Sequence, residues 1–175
     1  MQPDWPAEIH RELVAAGVTV VGYVPDAGHK RLIELCQADR SMRAVVLTTE
    51  EEGIGLAAGA WLGGEKSVLL IQSSGVGNLV NVLGMVKVCR FPLVMVVTMR
   101  GEQGEFNPWQ VPMGENTARV LETMSVAVRQ AGDAQTVAAH VHTAIGLAYE
   151  TQGAQAVLIA QRVIGIKSFQ EQTDQ

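Results

Sequence analysis

Six short runs along the chain are apolar at most positions and rich in β-branched residues: VTVVGYV (18–24), RAVVLTT (43–49), SVLLIQS (67–73), PLVMVVTM (92–99), SVAVRQ (125–130) and a last run at 155–161. Between most of them lie stretches of helical length, HKRLIELCQADR, EEEGIGLAAGAWLG, GNLVNVLGMVKVCR and DAQTVAAHVHTAIGLAYETQG. Strands that are apolar on both faces and alternate with helices indicate a parallel sheet covered on both sides, because each crossover carries a helix back over one face. The pattern therefore predicts an α/β fold, doubly wound, with a mostly parallel six-stranded sheet. Residues 100–114, RGEQGEFNPWQVPMG, break the rhythm with two prolines, three glycines and neither helical nor strand period. A structureless loop of that length in a compact domain is expected to be functional or mobile. Residues 1–166 read as a single domain, and the polar run from Lys167, KSFQEQTDQ, as a tail that frays.

Composition narrows this picture. A chain of 175 residues suits one domain with a substantial core, and with 47% apolar but only 5% aromatic residues that core is aliphatic. A net charge of −5 argues against nucleic-acid or anionic-membrane binding, which need a basic surface. Cys36 and Cys89 lie in helical stretches without CxxC spacing, as reduced thiols of a cytosolic protein do. The start, MQPDWPAEIHRELV, lacks the basic and apolar regions of a signal peptide, and no apolar run reaches the roughly 18 residues of a membrane span, so a cytoplasmic location is expected. There is no HExxH, CxxC or DxD cluster, and His140 and His142 are two apart on a helix, so no protein-held metal site is expected.

Ligands of open α/β sheets bind at the carboxyl ends of the strands. Four loops fall there: VPDAGH after the first strand, TTEEEG after the second, QSSGVGN after the third, and the long loop after the fourth. In TTEEEG, Thr49 and Glu52 fit a capping box, and acids in a first helical turn suit the macrodipole. Capping leaves Gly53, Gly55 and Gly59 unexplained, each costing a helix about 1 kcal/mol relative to Ala. Small residues on one stripe permit close approach of a neighbouring element or a ligand, so one glutamate is either a proton-handling group or simply a cap. QSSGVGN reads as a glycine-rich anion loop or as a tight strand-to-helix turn, without the GK[ST] of a P-loop. His29, after Asp26, is either a solvated surface residue or part of the rim site.

Taken together, VPD (24–26), TEEEGIGLAAGAWLGG (49–64), QSSGVGNLVN (72–81) and RG with QVPMG (100–101, 110–114) resemble a known family. Residues 18–114 are similar to the pyrimidine-binding (PYR) domain of thiamine-diphosphate enzymes, in the group of sulfopyruvate decarboxylase alpha subunits and phosphonopyruvate decarboxylases. The resemblance implies that the acid nine residues before Gly59, which is Glu50, contacts N1′ of the aminopyrimidine and shares a proton with it. It implies cofactor contacts from Pro25, Glu50, Ser74, Gly75, Val76 and Asn78, and substrate contacts from Ser73, Arg100, Trp109 and Gln110. His29 is the nearest candidate for a second proton-transfer residue. The Mg²⁺-diphosphate motif GDG is missing; Gly132-Asp133 is followed by Ala. A partner beta subunit carrying the diphosphate (PP) domain and Mg²⁺ is therefore implied, in a hetero-oligomer that decarboxylates a small 2-oxo acid. Trp109, with Phe106 and Pro108, departs from the family pattern and points to a larger or more apolar substrate. A carboligase or lyase of the same cofactor family, and a non-catalytic regulatory PYR-like module, are the alternatives.

Overall fold

Alternation of side chains along each strand builds two cores, one on each face of a sheet. The computed structural model describes residues 3–165. Its strands are β1 (Val18–Tyr23), β2 (Arg43–Val46), β3 (Lys66–Gln72), β4 (Leu93–Thr98), β5 (Ala127–Ala131) and β6 (Ala154–Ile159). They lie in the order β2-β1-β3-β4-β6-β5 and every pairing is parallel, as expected of a doubly wound α/β fold. The helices are α1 (Trp5–Ala15), α2 (Lys30–Ala38), α3 (Glu50–Leu62), α4 (Leu83–Cys89), α5 (Val111–Thr123), α6 (Val137–Thr151) and α7 (Gln161–Ile164). Val68, Leu70, Val94, Val96, Val157 and Ile159 pack into the layer of α1, α2 and α6. Their neighbours Leu69, Ile71, Leu93, Met95, Val97 and Leu158 pack into the layer of α3, α4 and α5. This period of two explains why the central strands read as unbroken apolar runs. Cys36 belongs to the first core, where burial pushes its thiol up to about 12, and Cys89 is exposed.

The pattern of the chain had singled out neither α1 nor α5. In α1 the buried stripe is Trp5, Ile9 and Leu13, with Asp4 capping the Ala7 amide and Pro6 in the first turn. α5 takes the end of the segment expected to be structureless: the loop proper stops at Asn107, Pro108–Gln110 is a short 3-10 turn, and VPMG opens the helix. Pro112 is compatible with that opening because the first-turn N–H groups have no helical partner to lose. The run 77–90, read as one helix, is instead the end of a 3-10 helix (Ser73–Leu79) followed by α4. Its glycines disfavour a regular α-helix. The tail from Lys167 lies outside the described residues.

The chain leaves β1 for β2 on one side and returns to pair β3 on the other. The connections reverse direction there, so a crevice opens at the carboxyl ends of β1 and β3. No helix among the described residues is long and apolar enough to cross a membrane.

Candidate active site

β2 delivers the chain to the rim, where extended Thr49 precedes the first turn of α3 and its three acids. They have three different environments. Glu52 turns back and its Oε2 accepts from the Thr48 amide at 2.8 Å, while the Thr49 hydroxyl makes no capping bond. The expected capping box is thus one-sided and shifted by a residue. Glu51 is exposed. Glu50 faces inward and is only 8% exposed. Its Oε2 accepts from Asn78 Nδ2 at 2.7 Å, a bond reaching from α3 to the turn after β3. Its Oε1 has no hydrogen-bond partner among the described residues and is not sealed from solvent. A Cβ on Gly75 would stand 2.0 Å from that oxygen. The result is a carboxyl group on the rim with one oxygen held and the other open to a ligand, the arrangement a proton-exchanging group needs.

The glycines of α3 serve separate purposes. A Cβ at Gly53 would lie 2.4 Å from Leu69 Cδ1, so this glycine lets α3 sit down on β3. Gly55 and Gly59 have nothing within 4 Å of that position, so the close approach expected of the whole stripe holds at Gly53 alone within the chain.

Between the loops, Asp26 acts as a tie. It accepts from the Gly28 amide at 2.9 Å, Gln72 Nε2 at 2.8 Å and Thr98 Oγ1 at 2.8 Å, joining the ends of β1, β3 and β4. His29 lies beneath this tie and is fully buried. Its Nε2 is within reach of the Ile71 and Val96 carbonyls at 3.2 and 3.0 Å, so the proton sits on Nε2, and Nδ1 is buried without a partner. Burial holds its pKa below the usual histidine value despite the nearby Asp26 charge. The ring is thus enclosed beneath the rim and bonded to the backbone of two central strands. Ser73 is likewise fully buried, its Oγ accepting from the Arg100 amide at 2.9 Å, so it ties two loops together and offers no face to a substrate. Val76 is a core residue with no exposed surface. Ser74 is exposed and bonds Gln72 Oε1 at 2.7 Å, and Pro25 is exposed on the loop after β1.

The long loop is a clasp built on one acid. Glu105, with a side chain 1% exposed, accepts from Arg100 Nε and Nη2 at 2.7 and 2.6 Å. It also accepts from the Gly101 and Asn107 amides and from Gln161 Nε2. The Arg100 guanidinium, helped by these amides, brings the Glu105 carboxyl down to about 2. Glu102 and Gln161 exchange two more bonds, at 2.9 and 2.6 Å. Gly101, with φ +76° and its Cβ position 2.3 Å from the Gln110 carbonyl, closes the neck. Arg100 is therefore paired inside the loop, with its side chain 11% exposed. The outer side of the clasp presents Phe106 and Trp109, 46% and 81% exposed. Gln110 places Nε2 3.5 Å from Gln72 Oε1 and has a buried Oε1 without a partner. Neither Glu105 nor Gln161 stood out in the sequence: acids are common in loops, and Gln161 lies 56 residues away.

Among the described residues no group of three or more His, Cys, Asp or Glu is placed to hold a metal ion. His142 pairs with Glu12 at 2.8 Å.

An open parallel sheet with an inward-facing carboxyl group and a glycine turn on its carboxyl rim defines the class of α/β modules that bind ligands at the strand ends. The chain belongs to the family described as thiamine pyrophosphate enzyme, N-terminal TPP binding domain, which it matches over residues 7–117. It is 38% identical over 119 residues to sulfopyruvate decarboxylase subunit alpha of Methanococcus maripaludis, covering 67% of this chain and 71% of that one. The subunit alpha of Methanothermobacter thermautotrophicus is 36% identical over 130 residues, 74% of this chain and 79% of the relative. Phosphonopyruvate decarboxylase of Streptomyces viridochromogenes is 36% identical over 118 residues, 66% of this chain but 30% of its own length. In fold, the chain superposes with TM-score 0.72 and 15% identity on a protein from Mycobacterium smegmatis described as a thiamin diphosphate-dependent enzyme, covering 96% of this chain and 34% of that one. The chain thus spans about a third of the length of that solved structure.

Proposed function

We propose that the chain is the alpha, pyrimidine-binding subunit of a two-subunit thiamine-diphosphate-dependent decarboxylase of a small 2-oxo acid, and that Glu50 exchanges a proton with N1′ of the aminopyrimidine. One observation carries this reading: Glu50 is the inward-facing acid of the rim, with Oε2 held by Asn78 and Oε1 open. That donor set fits the aminopyrimidine, whose ring nitrogen needs a single carboxyl oxygen able both to give and to take a proton. When bound, thiamine diphosphate supplies the electron sink for loss of CO₂ from a 2-oxo acid. The chain's part is to hold and move the proton at N1′, to leave room for the ring beside Gly75, and to keep water from the rim with Phe106 and Trp109.

The diphosphate and its Mg²⁺ belong to a partner, the beta subunit. Asp133 is occupied in a turn before α6, accepting from the Gln135 amide at 2.9 Å, and is not part of a diphosphate motif. The relatives named as alpha subunits, and the Streptomyces relative that carries the matching part in 30% of a longer chain, support a second polypeptide or domain. Leu62 and Val88, 86% and 81% exposed, offer apolar surface for it. Sulfopyruvate and phosphonopyruvate, named for the relatives, are the first substrates to assay, followed by bulkier 2-oxo acids that suit Trp109.

The test is substitution within the alpha–beta complex. Glu50→Gln cannot exchange the proton, and turnover falls by about 100- to 10,000-fold while assembly persists. Glu51→Gln, at an exposed position, changes turnover less than about twofold. Equal losses in the two variants overturn the assignment.

A further inference from the structure

We propose that Asn78 and Gly75 act through Glu50 as a two-part clamp that sets which carboxyl oxygen exchanges the proton. The inference rests on the Glu50 reading above. Glu50 opens α3, while Asn78 and Gly75 lie on the 3-10 turn after β3. Neither half of the clamp is local to the acid, and the Asn78–Glu50 bond spans 28 residues of chain.

Gly75 sets the position. A Cβ there would meet three successive atoms of the Glu50 side chain, Oε1 at 2.0 Å, Cδ at 2.3 Å and Cγ at 2.6 Å. Its backbone is not among the positive-φ glycines, so the dihedral angles do not call for glycine. Space alone does. Any side chain at this position drives the carboxyl group off the rim turn.

Asn78 sets the orientation without setting the charge. Its amide donates through Nδ2 to Oε2 at 2.7 Å, which leaves Oε1 as the oxygen without a partner among the described residues. An amide also carries an acceptor, so after rotation it can serve the protonated acid as well as the ionised one. A lysine or arginine at this place would donate equally well but hold the carboxylate in its charged form. A residue that must gain and lose a proton in every turnover needs a neutral partner. Asparagine meets that need, and the exchange is confined to Oε1.

The first test uses the chain alone, with no cofactor. In ¹⁵N-resolved spectra the Asn78 side-chain NH₂ signals follow a one-proton titration with pH, and Glu50→Gln abolishes that dependence. Signals that ignore pH, or that titrate equally in Glu50→Gln, overturn the clamp. The second test uses the alpha–beta complex. Asn78→Asp keeps the shape but replaces the donor by an acceptor, and it lowers kcat about 100-fold, the scale expected for a misplaced catalytic group, with KM for the 2-oxo acid within about twofold. Asn78→Gln, which keeps the donor on a longer arm, recovers part of that loss, whereas a role in packing alone would not separate Asp from Gln in this way. Gly75→Ala lowers kcat to a similar extent with thermal stability of the complex retained. Full turnover in Asn78→Asp while Glu50→Gln is inactive overturns the clamp and leaves the Glu50 reading standing. Full turnover in Glu50→Gln overturns both.

Discussion

At the scale of the residue, Gly53 and Gly59 on the same helix respond to opposite constraints. Gly59→Ala adds a methyl group into open space and removes a flexible residue from a helix interior, so the isolated chain gains about 0.5–1 kcal/mol. Gly53→Ala drives a methyl group into Leu69, itself 2% exposed, and costs about 1–3 kcal/mol. Urea unfolding of the two variants checks both signs. His29 supplies a pH dependence. Its folded pKa lies below the ordinary histidine value, so its contribution is complete above about pH 6.5 and is lost as pH falls through the folded value. Stability should therefore decline on acidification from pH 6.5, and His29→Gln should flatten that part of the profile. His29→Leu, which has no donor, loses about 1–3 kcal/mol at pH 7 because two buried carbonyls lose their partner. Glu50 was legible as a candidate because three acids run into a glycine-rich helix. Which of them was singled out followed only from the resemblance; in the structure that acid, Glu50, is the one of the three turned inward.

At the scale of the element, the clasp of residues 100–107 is the clearest case. Arg100→Ala leaves a nearly buried Glu105 carboxylate without its cation, and should destabilise the chain by about 3 kcal/mol. Trp109→Ala, at an 81% exposed position, should change stability by less than about 0.5 kcal/mol. Its effect should fall on the complex: a raised KM for bulky apolar 2-oxo acids if the indole walls the substrate. Kinetics unchanged by Trp109→Ala would instead assign this side of the loop to the subunit interface. The clasp also has an acid limit. The Glu105 pKa is depressed from 4.5 to about 2, so its stabilisation is present above about pH 4.5 and is lost as pH falls towards 2. The stability gap between the unsubstituted chain and Glu105→Gln should shrink across that window. The segment was recognisable as exceptional, since no period runs through it. Its order was not, because the bonds that anchor it to the rest of the fold come from Gln161 on another element.

At the scale of the whole molecule, the proposed function gives the chain one half of a site. The isolated chain is expected neither to decarboxylate 2-oxo acids nor to bind thiamine diphosphate tightly, and mixing with the beta subunit is expected to restore both. Calorimetry on the pure chain checks this, and micromolar cofactor affinity would contradict the split site.

The sequence by itself determined the α/β class, the number of strands and the rim loops, because strand and helix periodicities are written by near neighbours and need no knowledge of what packs against them. It marked α3 correctly and left α1 and α5 unmarked, although Trp5, Ile9 and Leu13 in α1 keep helical spacing. Only the tertiary structure decided how the rim residues divide the work. Asp26, Gln72 and Thr98 come from three strand ends, and Glu50 meets Asn78 from another element. His29, Ser73 and Arg100 looked available in the sequence because a side chain's burial depends on which strands become neighbours. The order β2-β1-β3-β4 placed the Ile71 and Val96 carbonyls beside His29 and the Arg100 amide beside Ser73, and the loop's own Glu105 took up the Arg100 guanidinium. Local patterns carry no information about those long-range partners, and the partners decide whether a polar group is free to meet a ligand or already satisfied within the fold.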